Sequence, residues 1–310
     1  MSKKIIFMGT PLFAVPILKS LYQNGYPISV VYTQPPQKSQ RGQNINKSPV
    51  QGIAETLNID FRTPHYLKDN NEEYNYIKEL NADLAIVVAY GKIIPKNFLS
   101  LTKKGFINIH GSILPKWRGA APIQRSIMNL DNETGISIMK IAEDLDSGPV
   151  SHVYKIKIDP NHNAQEISEK LSFLAAEKIL DNIDEVLEDK AKFTDQDHSK
   201  ATYAKKIDKK EGQINWNIGA LKILGRINGL IPFPGAFFNF NGERYKILKA
   251  EIGNGVGKVG EVISDKLEIA CGKNQSLKIL EIQRQGKKPQ KIGEFMLGSQ
   301  IKKGTIISNV

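Results

Sequence analysis

Over its first 190 residues the chain switches repeatedly between short apolar runs and helix-like segments, and this alternation limits its fold more than any other feature. Residues 4–8 (KIIFM) form the first apolar run, Thr10-Pro11 starts a helix reaching Leu21, and residues 28–33 (ISVVYT) form a second run. Ser48-Pro49 opens another helix, since proline in the first turn lacks only an N–H that would have no partner there. A helix ending near Leu80, the run 84–89 (LAIVVA), a short helix after Pro95 and the run 106–110 (FINIH) continue the pattern. A helix over 120–129, strands over 134–141 and 150–158, and a long helix over 164–187 complete it. Strands apolar from end to end, separated by helices, imply a mostly parallel sheet covered on both faces. Ligands of such sheets sit at the carboxyl ends of the strands, where Tyr90-Gly91, His110 and Asp146 all fall.

The chemistry concentrates at residues 105–115 (GFINIHGSILP) and 144–149 (DLDSGP). Asn108 and His110 are two apart, so an extended strand projects them from one face. An amide donor and a titratable ring on one face can serve a single reacting carbonyl, the amide steadying a developing oxyanion and the imidazole moving a proton. Asp146 would then hold the imidazole. A strand-end turn with a capping Asn and an incidental surface His is the plainer alternative. Gly9-Thr-Pro-Leu-Phe13 follows the first strand but lacks the glycine spacing of a dinucleotide loop, which excludes a nicotinamide oxidoreductase.

Residues 190–208 are polar and read as a linker. Beyond them the pattern changes to short strands punctuated by glycine, over 245–250, 257–263, 267–271 and 277–283. A small barrel closes that many short strands without open edges. The expected domains are therefore 1–189, a linker at 190–207, and 208–310.

Charge is unevenly divided between these parts. Of the formal +11, residues 205–310 hold 19 Lys+Arg against 9 Asp+Glu, a balance of +10, leaving 24 against 23 for residues 1–204. A near-neutral body joined to a basic appendage suggests a polyanionic partner, nucleic acid first, with a merely solubilising surface as the alternative. Cys271 is the only cysteine, which excludes an intrachain disulfide, and it reads as a small buried apolar residue. No signal-like segment precedes the first strand and no run of 18 apolar residues occurs, so a cytoplasmic location with no membrane association is expected. His65, His152, His162 and His198 are scattered without ligand spacing, and no metal site is expected. Trp117-Arg118 reads as a substrate wall or a core plug, and its place beside the strand 106–110 favours the wall.

Taken together, the blocks FMGTPLFAVP (7–16), AYGKIIP (89–95), INIHGS (107–112), SILPKWRGAAPIQ (112–124) and DLDSGPV (144–150) resemble the methionyl-tRNA formyltransferases essentially from end to end. The resemblance implies a Rossmann-like, mostly parallel formyltransferase domain followed by a small OB-like β-barrel. It also implies transfer of a formyl group from 10-formyltetrahydrofolate to the α-amine of initiator methionyl-tRNA. By that likeness Asn108, His110 and Asp146 are the catalytic trio. Ser112, Ile113, Leu114 and Pro115 would contact the folate, with Tyr90, Gly91 and Ile93 on its pterin side. The loop 34–49 would meet the tRNA acceptor arm through Arg41 and Lys47. Apart from the likeness, Lys205, Lys206 and Lys209 flank the linker exit, where they are expected to line a phosphate path. No metal is implied, and a monomer is the default.

The chemistry also follows from the residue types. Attack of a neutral amine on a formamide-like carbonyl creates an oxyanion, and the departing nitrogen needs a proton. Two enzymes, a glycinamide ribonucleotide formyltransferase and a sugar-nucleotide formyltransferase, share that constellation without needing a +10 appendage. A nucleic-acid module on an inactive α/β domain is a third alternative, disfavoured by the joint presence of Asn108, His110 and Asp146.

Overall fold

A computed structural model describes residues 3–39 and 44–308. They form two compact units that do not follow chain order: Met1–Pro122, Thr134–Ile156 and Ser168–Ala204 in the first, and Ile123–Glu133, Lys157–Ile167 and Lys205–Val310 in the second.

The first unit is built on seven strands: β1 (Ile5–Gly9), β2 (Ile28–Tyr32), β3 (Phe61–Arg62), β4 (Leu84–Val88), β5 (Phe106–His110), β6 (Glu133–Lys140) and β7 (Val150–Lys157). Their order is β3-β2-β1-β4-β5-β6-β7, a Rossmann-like arrangement. The pairs β2–β3, β1–β2, β1–β4 and β4–β5 are parallel, while β6 runs antiparallel to β5 with His110 opposite Ser137. Every residue of β1 and β4 is buried, as expected of central parallel strands covered on both faces. The chain leaves β1 in both directions, so the crevice beyond β1 and β4 is the switch point of the sheet. There Thr10 Oγ1 donates to the Tyr90 carbonyl at 2.9 Å.

That bond explains one departure from the expected elements. Thr10 is engaged with Tyr90 and caps nothing, so a single 3-10 turn, Leu12–Ala14, precedes α1 (Val15–Gln23). Ser48 does cap α2 (Pro49–Thr56), its hydroxyl accepting from Gln51 N at 2.9 Å, and Asn70 caps α3 (Asn71–Leu80) in the same way. The segment after Pro95 is one 3-10 turn, Lys96–Phe98. Two further helices are α4 (Pro122–Met128) and α5 (Ala164–Leu187), the latter with the bounds its apolar spacing predicts.

In the second unit a curled antiparallel sheet joins β8 (Ala236–Phe240), β9 (Glu243–Gly253), β10 (Glu268–Cys271), β11 (Gln275–Arg284) and β12 (Gln290–Lys291). The order is β8-β9-β11-β10, with β12 on β11, and the β9–β11 register shifts around Lys249, where a bulge bends the strand. Trp216, Phe238, Tyr245, Ile247 and Ile279 fill the core beneath α6 (Ala220–Gly229), so Trp216 anchors the entry to this sheet as expected. The strand expected over 257–263 is reduced to single bridges, Val262 with Ile269 and Glu261 with Ile306. Gly260 within it takes φ +82°, a left-handed turn that an extended strand cannot contain. Helix α4 packs into this unit, since a Cβ at Gly229 of α6 would lie 2.9 Å from the Gln124 carbonyl.

Candidate active site

Strand β5 reads Phe106, Ile107, Asn108, Ile109, His110, and all but Asn108 are buried. Its carboxyl end carries the site. Pairing parallel to β4 brings the turn after β4, with Tyr90 and Gly91, to the same edge of the sheet.

Asn108 and His110 converge on one carboxylate. Asn108 Nδ2 donates to Asp146 Oδ1 at 3.5 Å, and His110 Nδ1 lies 3.6 Å from Asp146 Oδ2. The main-chain N–H of Gly119 donates to Asp146 Oδ2 at 2.8 Å, the shortest of these contacts. On the other side of the ring, His110 Nε2 lies 2.9 Å from the Trp117 carbonyl oxygen. The ring is only 6% exposed, so both nitrogens must find partners inside the protein.

Local sequence explains how Asp146 arrives. Residues 144–149 return the chain from β6 to β7, and Gly148 passes so close to the end of β6 that a Cβ would lie 2.0 Å from the Lys140 carbonyl. Asp146 itself takes φ +47°, in the left-handed region that Asp tolerates better than most residues. Gly119 takes φ +118° where a Cβ would meet the Ala204 carbonyl at 2.9 Å, so glycine is what lets its N–H reach Asp146.

The residues expected on the folate side fall into two groups. The Ser112 hydroxyl is fully buried and donates to the Lys116 carbonyl at 2.6 Å, closing the turn that follows β5. Leu114 N donates to Ser137 Oγ, which donates in turn to the Ser112 carbonyl, so β6 props the turn from beneath. Ile113 and Pro115 accept main-chain bonds from Lys116 and Thr202. Tyr90 places its ring in the core, where burial pushes its hydroxyl above the usual range, and its carbonyl accepts from Thr10 and from Gln34 Nε2. Ile93, by contrast, stands 86% exposed, two residues beyond Gly91 at φ +74°.

Arg41 lies outside the described residues. Lys47 donates to both oxygens of Glu55 at 2.9 Å, a solvated pair that holds the Glu55 carboxyl below its ordinary range. Lys205, Lys206 and Lys209 are exposed on the second unit. Two features escaped sequence reasoning: the Trp117 carbonyl and the Gly119 N–H act through main-chain atoms, which side-chain identity does not disclose. Arg118 turns inward with its guanidinium buried and forms no wall; Trp117 is half-buried. Among the described residues no group of three or more His, Cys, Asp or Glu could hold a metal ion, and no helix is long and apolar enough to cross a membrane.

A parallel sheet with an amide donor, an imidazole and a carboxylate at its carboxyl edge defines an α/β enzyme of acyl-group transfer. The family model for formyl transferase matches residues 3–183, and that for the formyl transferase C-terminal domain matches residues 206–300. A methionyl-tRNA formyltransferase of Pelagibacter ubique is 67% identical over 310 residues, covering all of both chains. One of a Chelativorans species is 41% identical over 98% of this chain and 99% of its own. The chain belongs to the methionyl-tRNA formyltransferase family. Among solved structures, a sugar 3N-formyl transferase superposes with a TM-score of 0.69 at 19% identity, over 93% of this chain and 100% of that one. An N-formyltransferase from Helicobacter canadensis, in complex with folinic acid and dTDP-3-aminofucose, gives 0.70 at 18% identity, over 90% and 99%. At such identities these likenesses show the shared fold.

Proposed function

We propose that this enzyme transfers the formyl group of 10-formyltetrahydrofolate to the α-amine of methionine carried on initiator tRNA. The observation that carries the reading is the meeting of Asn108 and His110 on the Asp146 carboxylate, in a chain 67% identical throughout to a methionyl-tRNA formyltransferase. The folate derivative is a substrate, consumed as formyl donor. The amine attacks the formyl carbon directly, so no nucleophilic side chain is required. A carbon–nitrogen bond forms as the methionyl amine gives up a proton, the bond to the folate nitrogen breaks, and that nitrogen leaves with a proton. Asn108 donates to the oxygen that gains charge. His110 moves the proton while Asp146 and the Trp117 carbonyl keep the ring from turning. Exposed Ile93 and the turn over 112–115 supply the edge of a folate site, a reading supported by the folinic acid bound in the Helicobacter canadensis structure.

On this reading residues 1–189 carry the chemistry, 190–207 connect, and 208–310 meet tRNA through their positive field. Arg41 and Lys47 would reach the acceptor arm, with Lys205, Lys206 and Lys209 on phosphates. The enzyme acts as a cytoplasmic monomer that needs no metal. The test is to supply 10-formyltetrahydrofolate with methionyl initiator tRNA, an amino-sugar nucleotide or glycinamide ribonucleotide. Formyl-methionyl-tRNA as the dominant product is expected, and faster formylation of either small acceptor overturns the reading.

A further inference from the structure

We propose that Gln196 is a positioning residue of this site, acting through Asp146; the proposal rests on the catalytic reading of Asp146 given above. Gln196 lies in the polar stretch that reads as a linker, yet its side chain is 8% exposed. Its amide uses every hydrogen-bonding position it has. Nε2 donates to the Asp146 carbonyl at 2.9 Å and to the Gly148 carbonyl at 2.7 Å. Oε1 accepts from Arg118 Nε at 3.1 Å and Nη2 at 2.7 Å.

These bonds close a circuit around the carboxylate. Gln196 holds the main chain of Asp146 and also the guanidinium of Arg118. The next residue after Arg118 is Gly119, whose N–H grips the Asp146 side chain at 2.8 Å. Asp146 is thus held at its backbone by Gln196 and at its carboxylate by Gly119, whose chain neighbour Arg118 is bound by the same Gln196. The tie is needed because a non-glycine residue at φ +47° is held only where its surroundings insist on it. Two residues earlier, Thr194 and Val150 exchange a pair of main-chain bonds at 2.9 Å, which sets the depth at which Gln196 enters. The Asp146 and Gly148 carbonyls account for a glutamine rather than a carboxylate at 196: a carboxylate could accept from buried Arg118 but has no N–H to donate to them.

A shift of about 1 Å at a reacting group costs up to ~10²-fold in rate. Gln196→Met removes all four bonds at similar volume, while Gln196→Glu keeps the acceptors for Arg118 and loses the donors to Asp146 and Gly148. For each variant that gives a cooperative melt, kcat is expected to fall at least about 10-fold, with KM for 10-formyltetrahydrofolate and for methionyl-tRNA within about twofold of the parent. Each change is then combined with Asp146→Asn. If Gln196 acts through Asp146, the double variant is no slower than Asp146→Asn alone, because coupled positions do not add. Losses that multiply, or a folded Gln196 variant with parental kcat, overturn the proposal. Parental kcat in Asp146→Asn itself would instead sink the catalytic reading, so the two failures are distinguishable.

Discussion

His110 Nε2 lies 2.9 Å from the main-chain oxygen of Trp117, seven residues further along the chain. A peptide carbonyl only accepts, so the ring presents an N–H there and turns Nδ1 toward the Asp146 carboxylate. Acceptors on both edges of the ring, the Trp117 carbonyl and the Asp146 carboxylate, keep the imidazole from flipping.

The first prediction tests that arrangement together with its amide partner. His110→Ala and Asn108→Ala should each lower turnover by about 10²-fold or more, since proton transfer and oxyanion donors contribute on that scale. Circular dichroism should stay unchanged, because β5 keeps its apolar residues Ile107 and Ile109. A well-folded variant with near-parental turnover would remove that residue from the chemistry.

Gly148 offers a test of the loop that brings the carboxylate. A Cβ there would sit 2.0 Å from the Lys140 carbonyl, which belongs to a strand and cannot swing aside. Gly148→Ala should destabilise the protein by about 1–3 kcal/mol, as overpacking does, and should lower kcat by displacing Asp146. Thermal melting and steady-state kinetics on the same sample check both effects; an unchanged Tm contradicts the close approach.

The basic appendage makes a prediction about ionic strength. Replacing Lys205, Lys206 and Lys209 together by Ala should leave melting within about 0.5 kcal/mol of the parent, since all three are exposed. The slope of log Kd for tRNA against log salt should become shallower by about one for each lysine that meets a phosphate. An unaltered slope removes these three lysines from the tRNA interface.

Cys271 provides a built-in reporter of folding. It is the only cysteine, it is buried in the core of the second unit, and burial pushes its thiol up to about 12. The thiolate is the reactive form, so at pH 8 a disulfide reagent should leave the native chain unmodified for hours and should label one thiol once denaturant passes the midpoint. Rapid labelling of the native protein would show that this sheet opens far more easily than its packing implies.

Much of this architecture was legible from neighbouring residues alone. The placing of Asn108 and His110 on one side of β5 follows from a period of two. The start of α2 follows from Ser48-Pro49, and the 24 residues of α5 from their apolar spacing. In each case the causes lie within a few positions of the effect: a pleat, a cap, a helical stripe. The glycines over 253–260 were visible too, but whether they bend a strand or dissolve it depends on what lies across from them.

The tertiary structure alone decided the matters that hang on distant partners. Gln196 looks like any polar residue of a linker until the chain returns to Asp146, 50 residues before it, and Arg118, 78 residues before it. Helix α4 reads as one more crossover of the first unit, yet its packing on Gly225 and Gly229 of α6 puts it in the second. Side-chain periodicity is set by the backbone's own repeat and is therefore written locally. A buried hydrogen bond depends on which unpaired donor and acceptor meet when the chain closes on itself, and no window of sequence contains both.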